Sequence, residues 1–134
     1  MVKNDIFALL NEHAGTDDFV EVSYKAVQEM MASNSPKEYI SHIFTFIEQH
    51  PNCVLGMPGP LVQFAESFEG NGYEELLIES VKRCPVYYNL WMMQRAINHQ
   101  NDPRHCIYID IFNTLLEQEN IDEEVKSIVR EFLT

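Results

Sequence analysis

Basic side chains are scarce: 9 Lys and Arg stand against 21 Asp and Glu, a formal net charge of −12. A field of that sign repels nucleic acid and anionic lipid and attracts cationic surfaces, so nucleic-acid binding is not expected. Cysteine is equally sparse. Cys53, Cys84 and Cys106 are odd in number and fall at no metal-ligand spacing, and neither a signal peptide nor an apolar run of about 18 residues is present. A reduced cytoplasmic protein without membrane or lipid attachment is the reading that follows. Low-complexity tracts and long runs of like charge are missing, which argues against disorder. No segment alternates apolar and polar residues between turn signals, so a sheet has no support.

What remains is the composition of a globular domain, 46% hydrophobic and 22% charged over 134 residues. That length fits one domain, residues 1–134, able to bury well over half of its unfolded surface. The charge is unevenly spread. Residues 1–81 carry 13 acids and 3 bases (−10), residues 82–104 carry 1 acid and 4 bases (+3), and residues 105–134 carry 7 acids and 2 bases (−5).

The chain is organised around Tyr73 to Asn98, which reads as two helices with almost nothing between them. Pro85 lacks an N–H and disfavours the α conformation at Cys84, so a first helix stops near Arg83 or Cys84 and a second opens at Pro85. On the first, Tyr73, Leu77, Val81 and Cys84 share one side and Glu75, Glu79 and Lys82 the other. On the second, Val86, Leu90, Met93 and Ile97 form an aliphatic stripe. A second face gathers Tyr87, Tyr88, Trp91, Gln94, Arg95 and Asn98. Such a face suits either an inner helix with neighbours on both sides or a partner-binding surface, since Trp, Tyr and Arg dominate interface energetics.

Periodicity places six further helices around this pair. The first runs from about Lys3 to Glu12, with Ile6, Leu9 or Leu10, and His13 on one side and Gly15 as terminator. The second follows Thr16 as N-cap, with Phe19, Val22, Ala26, Val27 and Met30 in period and an end near Ala32. Ser35, Pro36 and Glu38 open a third through a capping-box-like start, carrying Tyr39, Ile40, Ile43, Phe44 and Ile47. His50 to Gly59 holds two prolines and two glycines, the strongest break in the chain and the best candidate for a functional loop, although a plain connector explains it as well. Pro60 opens a fourth with Leu61, Val62, Phe64, Ala65 and Phe68, ended by Gly70-Asn71-Gly72. Beyond Asn101-Asp102-Pro103, one helix carries Ile107 or Tyr108, Ile111, Phe112 and Leu115. The last, capped near Asp122, carries Val125, Ile128, Val129, Phe132 and Leu133. The expected fold is therefore all-α, an irregular α-α superhelix of stacked helical hairpins with about seven or eight helices, in which Leu77, Val81, Leu90, Ile97, Ile111, Phe112, Val125 and Val129 are buried. No residue repeat of fixed period accompanies it.

Chemistry leaves little trace. There is no H-E-x-x-H, no glycine-rich phosphate loop and no G-x-S-x-G. The best metal candidate is His99, His105 and Cys106 beside Asp102, whose N, S and O atoms zinc would accept, but their spacing matches no ligand motif. Helix-end capping and a small buried Cys106 explain the same residues. The sequence gives no reason to expect an enzyme or a cofactor.

Three segments of the centre, G-P-L-V-x-F-x-E-x-F at 59–68, Y-E-x-L-L-x-E-S-x-x-R-x-P at 73–85 and W-M-x-x-R-x-I-N at 91–98, resemble small all-helical bacterial immunity proteins. Those are the antidotes of contact-dependent growth inhibition and other polymorphic toxin systems. The similarity covers about 40 residues, all structural positions; the outer thirds add nothing to it. It implies a non-enzymatic cytoplasmic protein that neutralises a cognate toxin domain, a nuclease such as an EndoU-type RNase, by blocking its active site or substrate groove. A partner with a basic surface agrees with the charge of −12. The expected contacts are acids near helix starts and turns, Asp17, Asp18, Glu21, Glu66, Glu69, Glu74 and Glu75, with Tyr87 and Tyr88 of the two-faced helix. Two alternatives stand beside this reading: a helical interaction or regulatory module without a toxin partner, and a metal-dependent hydrolase using the His99 to Cys106 cluster.

Overall fold

A computed structural model describes residues 2–99 and 102–134; Asn101, read as part of a helix break, lies outside the described residues. The protein is all-α. The helices are α1 (Lys3–His13), α2 (Phe19–Met31), α3 (Tyr39–Gln49), α4 (Gly59–Glu66), α5 (Tyr73–Arg83), α6 (Tyr87–Ile97), α7 (His105–Glu117) and α8 (Glu123–Leu133), with a 3-10 turn at Pro36–Glu38 before α3. No strand occurs among the described residues. The chain, expected as one domain, divides into two compact units, Met1–Leu76 and Leu77–Thr134, with the division inside α5.

In the N-terminal unit α1 packs on α2 and α3, and α4 on α2 and α3. The apolar stripes meet as their periodicity predicts: Ile6 and Leu10 of α1, Ala26 and Met30 of α2, Ile40, Ile43 and Phe44 of α3 and Leu61, Val62 and Ala65 of α4 are all fully buried. Phe19 stacks on Phe46 at 5.6 Å between ring centres, and Phe44 lies 6.1 Å from Tyr73. Gly15, in the left-handed region at φ 80°, turns the chain from α1 to α2 without the backbone strain that a residue with a side chain would carry there.

In the C-terminal unit α6 packs on both α7 and α8, which pack on each other. The core is Leu77 and Val81 of α5, Leu90, Met92 and Met93 of α6, Tyr108 and Phe112 of α7, and Val129 of α8. Of the two alternatives on α7, Tyr108 is the inward residue, and Ile107 is 48% exposed. Ile97 and Val125, expected in the core, are only half buried. Both stand near element ends, where fewer neighbours cover a stripe. On α8 only Val129 is fully enclosed.

Three helix starts differ from expectation. The Thr16 hydroxyl does not cap α2; it donates back to the His13 carbonyl of α1 at 2.7 Å. Ser35 makes no side-chain cap, and Pro36 opens a 3-10 turn instead of α3 itself. Pro85 lies outside α6, which begins at Tyr87 after an extended Val86 at φ −136°, ψ 173°. The cause is Asn89, fully buried in the third position of the helix. Its Oδ1 accepts the Val86 N–H at 2.8 Å, while its Nδ2 donates to Ser80 Oγ and to the Cys84 carbonyl, each at 2.9 Å. One amide thus joins the end of α5 to the start of α6, the reaching-back half of a capping box extended across a turn. Replacing a partner in a buried network exposes the others to full desolvation cost, so Asn89→Ala should lower stability by about 2–3 kcal/mol. Urea denaturation should report this as a lower midpoint with an unchanged slope.

Candidate functional site

Seven of the nine expected contact residues lie in the N-terminal unit, and Tyr87 and Tyr88 lie in the other. Asp17 and Asp18 occupy the α1–α2 turn with exposed side chains, Asp18 Oδ2 standing 3.7 Å from His13 Nδ1. Glu21 projects from the first turn of α2, and Glu75 from the first turn of α5. Glu69 is exposed in the turn after α4, and Glu66, the last residue of α4, is half buried.

Glu74 has a structural role instead. It is 5% exposed, and both carboxylate oxygens accept the Gly70 N–H, at 3.1 and 2.9 Å. An acid at a helix start also opposes the positive end of the helix dipole. The same turn is tied from the other side by Lys37 Nζ, which donates to Asn71 Oδ1 at 3.2 Å.

The two-faced helix resolves into a graded surface. Tyr88 is buried and meets Trp91 edge to face at 5.8 Å, and the Arg95 guanidinium lies 5.1 Å over the Trp91 ring. Tyr87 is 37% exposed and packs against Tyr88 and against Phe132 of α8. Cation–π and edge-to-face contacts therefore occupy the aromatic face within the unit itself.

The residues proposed for a metal do not form a ligand set. Asp102 accepts from Arg104 N at 2.8 Å and from Tyr108 Oη at 3.0 Å; His105 Nδ1 lies 2.9 Å from the Ile97 carbonyl; His99 and Cys106 are exposed. These are helix-capping and turn contacts. Among the described residues no three His, Cys, Asp or Glu side chains converge.

The His50–Gly59 loop is fastened down. His50 Nε2 pairs with Asn11 Oδ1 at 2.8 Å and its ring lies 4.5 Å from Phe46, while Cys53 and Leu55 are buried. Gly56, at φ +113°, is required: a Cβ there would stand 2.6 Å from the Gly59 Cα. Met57–Pro58 is cis. Val54 and Met57 point outward, 66% and 69% exposed.

One feature escaped the sequence reading. Tyr24, Val27 and Met31 of α2 form a groove of about 450 Å³ with Pro60 and Phe64 of α4 and Phe68 beyond it. The signal was available, because Tyr24, Val27 and Met31 share a helix face at i, i+3, i+7; burial of Phe19, Val22, Ala26 and Met30 accounts for a neighbouring stripe and hides it.

Comparison with protein-family models, curated proteins and solved structures finds no match to this chain.

Two outcomes follow from these environments. Burial pushes the Cys53 thiol pKa up, the Gly15 backbone hydrogen bond opposing this more weakly, so an aromatic disulfide reagent should modify Cys106 rapidly and Cys53 only on unfolding, as read by peptide mass mapping. Glu74→Ala should cost about 1 kcal/mol by the same urea assay, through loss of the hydrogen bonds that hold the Gly70 turn.

Proposed function

We propose that this protein is an immunity protein that binds and neutralises a cognate toxin domain with a basic surface, a nuclease, by covering its active site or substrate groove. The observation that carries the reading is the charge of the N-terminal unit. Residues 1–76 hold 12 acidic and 3 basic side chains, and Asp17, Asp18, Glu21, Glu69 and Glu75 are exposed on it. A surface of one sign accelerates encounter with an oppositely charged partner and disfavours others. Proteins acting on RNA or DNA carry basic clefts, because phosphate contacts dominate their affinity. The resemblance of residues 59–98 to helical immunity proteins points the same way.

An interaction module without a toxin partner shares every one of these features, and the gene upstream separates the two. Co-expression of that gene's product with this protein should relieve its toxicity; toxicity that persists at equal expression, or a harmless product, refutes the immunity reading. Glu69→Lys with Glu75→Lys should slow association about tenfold at low salt, and the wild-type on-rate should fall as salt rises. Stopped-flow association kinetics would measure both. Glu74 is left unchanged in this test, since its carboxylate holds the Gly70 turn.

A further inference from the structure

We propose that the groove between α2 and α4 receives one or two apolar side chains from a cationic segment of a protein partner. This rests in part on the immunity reading, whose partner would supply the segment. The groove is open to solvent through Tyr24 and Met31, 55% and 64% exposed, and its wall is apolar, with Phe64 and Phe68 packed edge to face at 5.5 Å. Polar handles are few: Gln63 and Ser67 line it, and the Ser67 hydroxyl already donates to the Phe64 carbonyl. A small polar ligand would find little there to orient it, whereas a Leu, Met or Phe side chain finds a cleft of suitable size.

Charge selects the source of that side chain. Glu21 lies one turn before Tyr24 on the same face of α2, Glu66 one turn after Gln63 at the end of α4, and Glu69 directly after Phe68. Lys25 and Lys37 are the nearby bases, and Lys37 is bonded to Asn71. The acidic excess of the unit repels anionic lipid and nucleic acid. A second copy of this chain carries −12 overall and is disfavoured at long range, although residues 82–104 of it are net basic. An apolar anchor flanked by Lys or Arg satisfies both the wall and the rim, the pattern of a desolvated hot spot inside a polar surround.

The test uses a synthetic amphipathic helix about five turns long, Leu on one face and Lys on the other, titrated into the full-length protein labelled at the methionine methyl groups. The Leu/Lys peptide should bind and move the Met31 resonance. The double variant Tyr24→Gln, Met31→Gln, both at exposed positions and checked for unchanged helicity, should bind it about tenfold more weakly. Replacing the peptide's Lys by Glu, or its Leu by Ser, should likewise weaken binding at least about tenfold. Absence of binding, equal affinity for the double variant, or equal affinity for the Glu peptide overturns the proposal. The upstream gene product provides the second arm. If it is toxic and neutralised equally well, with the same affinity, by the double variant, the groove assignment fails and the immunity reading survives. If it is harmless while the peptides still discriminate, the immunity reading fails and the groove stands.

Discussion

The buried side chain of Asn89 is the contact on which the C-terminal unit depends. A polar group with no access to water must find partners inside the protein, and an amide has capacity for several. Asn89 meets that demand with the Val86 N–H, the Ser80 hydroxyl and the Cys84 carbonyl, so burial and chain direction are fixed together. Pro85 ends one helix by what it lacks; Asn89 starts the next by what it reaches. With α6 so begun, Leu90, Met92 and Met93 enter the core, and α7 and α8 close over them.

In the N-terminal unit the constraint is electrostatic as much as steric. Twelve acids on a unit of this size repel one another, and Glu74, which is buried, is held in the Gly70 turn, where two carboxylate oxygens share one N–H and the start of α5 lends a partial positive charge. Asp17, Asp18, Glu21, Glu69 and Glu75 remain exposed. Charge left in solvent costs little and contributes little to stability. Its consequence is a long-range field, which matters for what approaches the surface and not for what holds it together.

The all-α class and the eight helices of the described residues were legible because the apolar period of 3.6 is repeated in each segment, and Gly or Pro breaks every connection except the one between α7 and α8. Boundaries were less so. Thr16 and Pro85 look like helix openers by residue type, but the Thr16 hydroxyl is taken by the His13 carbonyl three residues back, and Asn89 sets the start of α6 by accepting the Val86 N–H. Of Tyr108 and Ile107, Tyr108 is the one that lies three, four and seven residues before the buried Ile111, Phe112 and Leu115, and its phenol also donates to Asp102 at 3.0 Å. The candidate site was partly legible. Acids at helix starts follow residue preferences there, but residue type does not separate Glu74, turned inward to Gly70 four residues before it, from its exposed neighbour Glu75.

The exposed apolar residues carry the remaining step. Tyr24 and Met31 cost the isolated chain nothing that folding demands, for the core of α2 is complete with Phe19, Val22, Ala26 and Met30. An open apolar groove invites non-specific association unless the carboxylates beside it exclude unwanted occupants. Acid at the rim does so by sign: it turns away further copies of an acidic chain and anionic surfaces, and admits an apolar side chain when cationic neighbours accompany it. Attraction and exclusion then come from the same residues, which is how a small surface gains specificity without a larger area.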